Sequence, residues 1–103
     1  MDGYFVYMLF CRDGSYYVGL TNDVERRVWE HNEGLDDESY TYSRRPVVLA
    51  YSTSFDDIGA AIDWEKKLKR WSHRKKSALA RGDWKMIGKL AKGRHRQDRA
   101  SKT

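Results

Sequence analysis

The 103-residue chain contains one cysteine and one proline. With Cys11 alone, no disulfide can form within the chain and no cysteine-based zinc cluster is available, so a reducing compartment is the natural setting. A single proline argues against long proline-rich linkers. No long hydrophobic run is present either. The longest apolar stretch, Tyr4 to Cys11, is far shorter than the ~20 residues needed to span a bilayer. The first residues, Met1-Asp2-Gly3, are acidic, unlike the basic opening of a secretory signal. Together these absences predict a soluble, cytoplasmic protein with no membrane association.

Hydrophobic residues make up 40% of the chain, with seven Tyr, four Trp and three Phe. That suffices for one modest core. The charges are segregated. Residues 1–43 carry three Lys/Arg against nine Asp/Glu, and residues 44–103 carry seventeen against six. From Lys66 to Lys102 there are fifteen basic and two acidic residues. A basic half points to a polyanion partner, with DNA first and RNA as the alternative. The candidate phosphate contacts are Arg44, Arg45, Lys69, Arg70, Arg74, Lys75 and Lys76.

Tyr4 to Cys11 reads as a buried strand, and Ser15 to Leu20 as a second. A two-residue loop between them would put Tyr7 and Tyr17 on opposite faces. A three-residue loop, Arg12-Asp13-Gly14, pairs Cys11 with Ser15 and Leu9 with Tyr17, which makes Tyr7 and Tyr17 diagonal neighbours on one face. Three-residue hairpins need a left-handed third residue, and Gly14 stands there. The three-residue loop is therefore expected.

Asn22-Asp23-Val24-Glu25 resembles a capping box, with Asn22 as N-cap. The helix it opens should run to about Asn32 and stop at Gly34. Val24 and Val28 form its apolar stripe, with Arg27 and His31 one turn apart beside it. A polar acidic loop spans Glu33 to Ser39. Pro46 then precedes a third strand, Val47 to Tyr51. A second long helix should be capped by Asp56 or Asp57. Its apolar face, Ile58, Ala61, Ile62 and Leu68, includes Glu65, whose carboxylate requires a cation or a donor. A short helix from Ser72 or His73 to Ala80 and another from Asp83 to Lys92 complete the pattern. The fold expected is α/β (α+β), a small three-stranded, mainly antiparallel sheet flanked by helices in the order β-β-α-β-α-α(-α). Residues 1–92 form the domain and residues 93–103 a basic flexible tail.

Phosphodiester hydrolysis needs an activated water, a cation on the phosphate and a donor for developing charge. Glu65 could hold a metal, or pair with a lysine or arginine. Arg27 could fork onto phosphate oxygens. Tyr7, Tyr17 and His31 could orient or deprotonate water, and Gly19 would let a phosphate approach the backbone.

Phe5-Val6-Tyr7, with Tyr17-Val18-Gly19 ten residues on, resembles the paired tripeptides that name the GIY-YIG nuclease superfamily. Leu20 to Arg27, then His31, is similar to that superfamily's first helix with its Arg and His, and Glu65 to its metal-binding Glu. Tyr40-Thr41-Tyr42-Ser43-Arg44-Arg45-Pro46-Val47, Lys69-Arg70-Trp71-Ser72 and Gly82-Asp83-Trp84 resemble segments of its small stand-alone bacterial members. The likeness covers about residues 4–92 and extends to the N-terminal nuclease domain of the excinuclease C subunit. Val replaces Ile in both tripeptides, Phe5 replaces the first Gly, and Leu20 stands where the excinuclease domain has Lys.

The resemblance implies a metal-dependent DNA endonuclease, structure-selective and acting in repair or processing. Its catalytic residues would be Tyr7, Tyr17, Arg27, His31 and Glu65, with Glu65 holding Mg²⁺ or Mn²⁺. Tyr17 is the first candidate base and His31 the second. The alternative is a nucleic-acid-binding or adaptor module that cuts poorly alone and relies on a protein partner for targeting.

Overall fold

The computed structural model describes residues 3–91. Strands β1 (Tyr4–Cys11) and β2 (Tyr16–Thr21) form an antiparallel hairpin in which Leu9 faces Tyr17 and Tyr7 faces Gly19. The turn has the expected length. The Cys11 amide donates to the Ser15 carbonyl at 2.9 Å, the Gly14 amide to the Cys11 carbonyl at 2.9 Å, and Gly14 takes a φ of +86°. Strand β3 (Val47–Phe55) pairs with β1 on its other edge, so the order is β2-β1-β3 and every pairing is antiparallel. It runs four residues past the expected end at Tyr51. A register shift makes this possible: Met8 faces Tyr51 and Leu9 faces Leu49, so Ala50 is the extra residue of a bulge. Pairing then resumes to Phe55 opposite Tyr4.

The central strand is covered on both faces. Val6, Tyr7, Met8 and Leu9 are each no more than 1% exposed, as a continuous apolar run requires. The odd-numbered face of β1 gathers Tyr7, Leu9 and Cys11 with Val47, and against them pack Tyr17, Val24 and Val28. The valine stripe of helix α1 (Val24–Glu33) therefore meets that face. Alternation sends Val6, Met8 and Val18 to the other side. Helix α2 (Ile58–Lys69), with Ala61 and Leu68 buried, lies against the strands.

The cap of α1 falls one residue later than expected. Asp23, not Asn22, is the N-cap, and its side chain accepts from the Arg26 amide at 3.1 Å. The Thr21 hydroxyl accepts from the Asp23 amide at 3.1 Å and holds that residue extended, so Asn22 lies outside the helix. Gly34 closes α1 with φ +67°. Asn32, near the helix end, clamps the start of β3. Its amide donates to the Val47 carbonyl at 2.9 Å and its carbonyl accepts from the Val47 amide at 2.8 Å. Of the two acids expected to cap α2, Asp57 does so, accepting from the Ala60 amide.

Residues up to Trp71 form one compact unit and Ser72 opens a second. In the second, Ser72 caps α3 (His73–Ala80), accepting from the Lys75 amide at 3.1 Å. Asp83 accepts from the Met86 amide at 3.0 Å at the head of α4, residues 84–91. The basic segment expected at 93–103 lies outside the described residues. No helix among the described residues is long and apolar enough to cross a membrane.

Candidate active site

Tyr7 sits opposite Gly19, and its ring folds back over that glycine. A Cβ at residue 19 would lie 2.5 Å from both the Tyr7 Cζ and its hydroxyl oxygen. The tyrosine above it is by itself enough to require a glycine here. Tyr7 is 1% exposed. Burial, reinforced by nearby Tyr17, pushes its phenol well above the ordinary tyrosine range, with Arg27 acting in the opposite direction. Tyr7 is therefore a protonated phenol at neutral pH.

A buried phenol needs a hydrogen-bond partner, and α1 supplies it. His31 Nε2 lies 3.0 Å from the Tyr7 hydroxyl. On the far side of the ring, Nδ1 lies 2.7 Å from the Thr41 hydroxyl, which in turn sits 3.1 Å from the Ser39 hydroxyl. His31 is 5% exposed and Thr41 1%. Loss of water is the main cause that lowers the His31 pKa, and the positive Arg27 adds to it. The imidazole is neutral at pH 7. Tyr17, diagonal to Tyr7 as the three-residue loop requires, places its ring 6.3 Å from Tyr7 and 5.1 Å from His31, centroid to centroid.

Arg27 stands one turn before His31. Its guanidinium donates to the Glu30 carboxylate at 2.9 Å. Arg27, Glu30, His31, Asp36, Ser39 and Thr41 are among the residues lining a cleft of about 220 Å³ beside this cluster.

Outside the cleft Tyr17 is supported by a column. Tyr40 stacks on it at 6.1 Å with 22° between planes. The Arg44 guanidinium covers the Tyr40 ring at 3.8 Å. Arg44 is itself held by Asp13 of the β1–β2 turn at 2.9 Å and by the Tyr40 carbonyl at 2.7 Å. Arg45 is similarly engaged. It lies over the Tyr42 ring at 4.3 Å and donates to the Tyr42 carbonyl at 2.7 Å. Two of the seven basic residues singled out in the sequence thus make intramolecular contacts in the loop before β3. Arg70 and Arg74 are exposed, and Lys75 and Lys76 are half-buried.

Glu65 does not line the cleft beside Tyr7 and His31. Its side chain is 17% exposed and pairs with Lys69, one turn on, at 2.9 Å. The carboxylate on the apolar stripe, which required a cation or a donor, therefore has a cation in Lys69. Among the described residues, no group of three or more His, Cys, Asp or Glu side chains is arranged to hold a metal.

The structure brings together Tyr7, Tyr17 and His31, with Arg27 at their edge. Sequence reasoning missed Ser39, Tyr40 and Thr41. They lie in an acidic loop and a hydroxyl-rich run with no periodicity to show which side chains turn inward.

A three-stranded antiparallel sheet that buries a Tyr–His pair beneath its first helix defines a small α/β domain. Residues 3–78 match the GIY-YIG catalytic domain, and the chain belongs to that family, whose fold is a nuclease fold. A UPF0213 protein of Halobacterium salinarum is 47% identical over 74 residues, which are 72% of this chain and 95% of the relative. A UPF0213 protein of Staphylococcus saprophyticus is 40% identical over 79 residues, 77% of this chain and 95% of the relative. The solution NMR structure of a protein from E. faecalis is similar at 30% identity with a TM-score of 0.55, covering 80% of this chain and 90% of that one.

Proposed function

We propose that the protein is an endonuclease that hydrolyses phosphodiester bonds in DNA, selecting its substrate by structure rather than by sequence, in repair or processing. The observation that carries this reading is the buried Tyr7–His31 pair with Tyr17 beside it and Arg27 at the cleft, in a GIY-YIG catalytic domain. Tyr17 is the proposed base. Both ring nitrogens of His31 are within hydrogen-bond distance of protein hydroxyls, whereas Tyr17 is half-buried at the edge of the cluster. Tyr17, as its phenolate, takes the proton from the attacking water, the leaving oxygen of the broken phosphodiester bond takes a proton from solvent, His31 and Tyr7 hold the surroundings of Tyr17 fixed, and Arg27 exchanges Glu30 for a phosphate oxygen.

GIY-YIG nucleases are in general dependent on a divalent metal. The donor set fits such an ion through a single residue. Glu65 offers hard carboxylate oxygens in a shielded position that already faces a cation, Lys69. Mg²⁺ or Mn²⁺ commonly takes one or two carboxylates and fills its sphere with water and phosphate oxygens. Glu65 would hold the ion, which would neutralise charge on the scissile phosphate.

The Glu65–Lys69 pair and the engagement of Arg44 and Arg45 within their own loop favour a second reading, a nucleic-acid-binding module that requires a protein partner to cut. A cleavage assay on flap, branched, damaged and single-stranded DNA with Mg²⁺ or Mn²⁺ separates the two. The nuclease reading expects cutting that is lost in Glu65→Gln while folding and DNA binding are kept. Unchanged cutting with a lowered thermal midpoint would show Glu65 to be only a partner of Lys69. Binding without cutting in every condition would support the adaptor.

A further inference from the structure

A second depression, of about 600 Å³, opens on the same compact unit as the cleft and is lined by Arg12, Asn32, Tyr42, Ser43, Arg45 and Pro46. Two arginines line it and no carboxylate does. Asp13, the acid next to Arg12, is engaged by Arg44 at 2.9 Å and by the Ser15 hydroxyl at 2.6 Å. Other arginines of this unit have their charge offset: Arg26 and Arg27 share Glu30, and Arg44 holds Asp13. Arg12 and Arg45 differ. Their side-chain hydrogen bonds among the described residues go to carbonyls. Arg12 donates to that of Ser43 at 3.3 Å, and Arg45 to those of Tyr42 at 2.7 Å and Asn32 at 3.4 Å. A guanidinium has five N–H groups, so most of those on both side chains are left for a ligand. Two like charges in one depression repel, and an anion between them turns that repulsion into attraction.

The frame around the pair is held by the protein itself. The Arg12 amide donates to the Arg44 carbonyl at 2.9 Å, which pins the β1–β2 turn to the loop before β3. Arg45 lies over the Tyr42 ring at 4.3 Å. A Cβ at residue 34 would overlap its guanidinium, so the side chain packs directly on the end of α1. Gly34 also lines the cleft that holds Arg27 and His31. The depression and the cleft therefore adjoin at the C-cap of α1. We propose that this depression is a second phosphate subsite, in which Arg12 and Arg45 hold a backbone phosphate of the DNA strand whose scissile phosphate lies in the cleft. Arginine forks suit phosphate oxygens, and contacts of this kind fix the register of a strand without reading its bases. Neither arginine touches the reacting atoms. The identity of the strand rests on the nuclease reading above; the affinity of the pair for a phosphate group does not.

Two measurements test the proposal. In the wild-type chain, ¹H–¹⁵N spectra of the arginine Nε–H groups are followed while short single-stranded DNA, short duplex DNA, inorganic phosphate and a glutamate-rich peptide are each added. Saturable shifts of Arg12 and Arg45 with DNA are expected, with smaller shifts of the same two signals in phosphate. Shifts with phosphate but with neither DNA would make the depression a free-anion site and overturn the proposal. Shifts with the peptide but with neither DNA would also overturn it, in favour of an acidic protein segment. The second measurement uses Arg12, which is exposed and makes one side-chain bond among the described residues, at 3.3 Å, so its replacement should leave the frame standing. Arg12→Gln should weaken the better-bound DNA about 10- to 100-fold, the loss expected for one charged hydrogen bond. It should also flatten the log–log salt dependence by about 0.7–0.9. Arg12→Lys should recover the slope. In cleavage, the loss should appear in KM. Unchanged affinity and slope in a folded Arg12→Gln overturn the proposal. Cutting by the wild type with no change in Arg12→Gln would leave the nuclease reading and remove the subsite. DNA-induced shifts at Arg12 and Arg45 without any cutting would do the reverse.

Discussion

Gly19→Ala adds one carbon at the place where the site has least room. That Cβ would stand 2.5 Å from the Tyr7 Cζ, 2.5 Å from its hydroxyl oxygen and 2.8 Å from Cε1. Ordinary carbon contacts lie at about 3.5–4.0 Å, so the ring must move by about an ångström. It has nowhere to go. Tyr7 is 1% exposed, packed with Leu9, Cys11 and Val47, and fixed at its far end to His31 at 3.0 Å. Overpacking of this kind costs about 1–3 kcal/mol. Displacing the hydroxyl from His31 strands a buried donor, which places the expected loss toward the upper end of that range. For a domain of this size each kcal/mol lowers the thermal midpoint by about 4–8 °C, so the variant should melt roughly 10–20 °C below the wild type. Gly88→Ala is the control. Gly88 lies in α4, its φ is not positive, and an added Cβ there would meet nothing within 4 Å. The same substitution should therefore stabilise by about 0.5–1 kcal/mol, the usual gain of alanine over glycine inside a helix. Thermal denaturation followed by circular dichroism measures both. A Gly19→Ala protein that melts with the wild type would refute the packing argument, as would a destabilised Gly88→Ala.

The remaining expectations concern charge. Burial lowers the His31 pKa below the ordinary 6.5, so the folded chain takes up a proton at lower pH than the unfolded chain does. Stability should be full above that value and be lost as pH falls through the window between 6.5 and the lower folded value. Denaturant titrations across this range should show the slope in the wild type and a flatter one in His31→Gln; equal slopes would sink the assignment. If the basic half carries DNA, affinity measured by fluorescence anisotropy should fall linearly on a log–log plot as salt rises from about 50 to 200 mM. Affinity that ignores salt would contradict phosphate contacts.

The hairpin was legible because its geometry is local. Gly14 at the third loop position fixes the three-residue turn, the turn fixes the register, and the register alone puts Tyr7 and Tyr17 on one face. The Val24–Val28 stripe was legible for the same reason, since helical spacing depends only on neighbours in the chain. The cap of α1 was missed by one residue because two adjacent side chains, Asn22 and Asp23, could each serve. A third, Thr21, decided between them by holding the Asp23 amide. The end of β3 was missed because a bulge at Ala50 lets pairing continue where alternation breaks.

The contacts that build the candidate site join residues distant in the chain. Tyr7 meets His31 across 24 positions and Arg44 meets Asp13 across 31. Pattern can nominate the members of such pairs when they lie on a strand or a helix, as Tyr7 and His31 do. It has no purchase on Thr41, which sits among Tyr40, Tyr42 and Ser43 in a segment without a repeat. What singles out Thr41 is a requirement of charge and hydrogen bonding rather than of periodicity. A histidine that is 5% exposed beside a buried phenol must satisfy its second nitrogen, and the partner has to come from whatever chain passes its far side. Gly34 turns the chain out of α1, and Asn32 fastens the end of that helix to the start of β3. The intervening loop must therefore return along α1, past His31. Thr41 is the residue of that loop that meets the second nitrogen, at 2.7 Å, and Ser39 lies 3.1 Å from its hydroxyl.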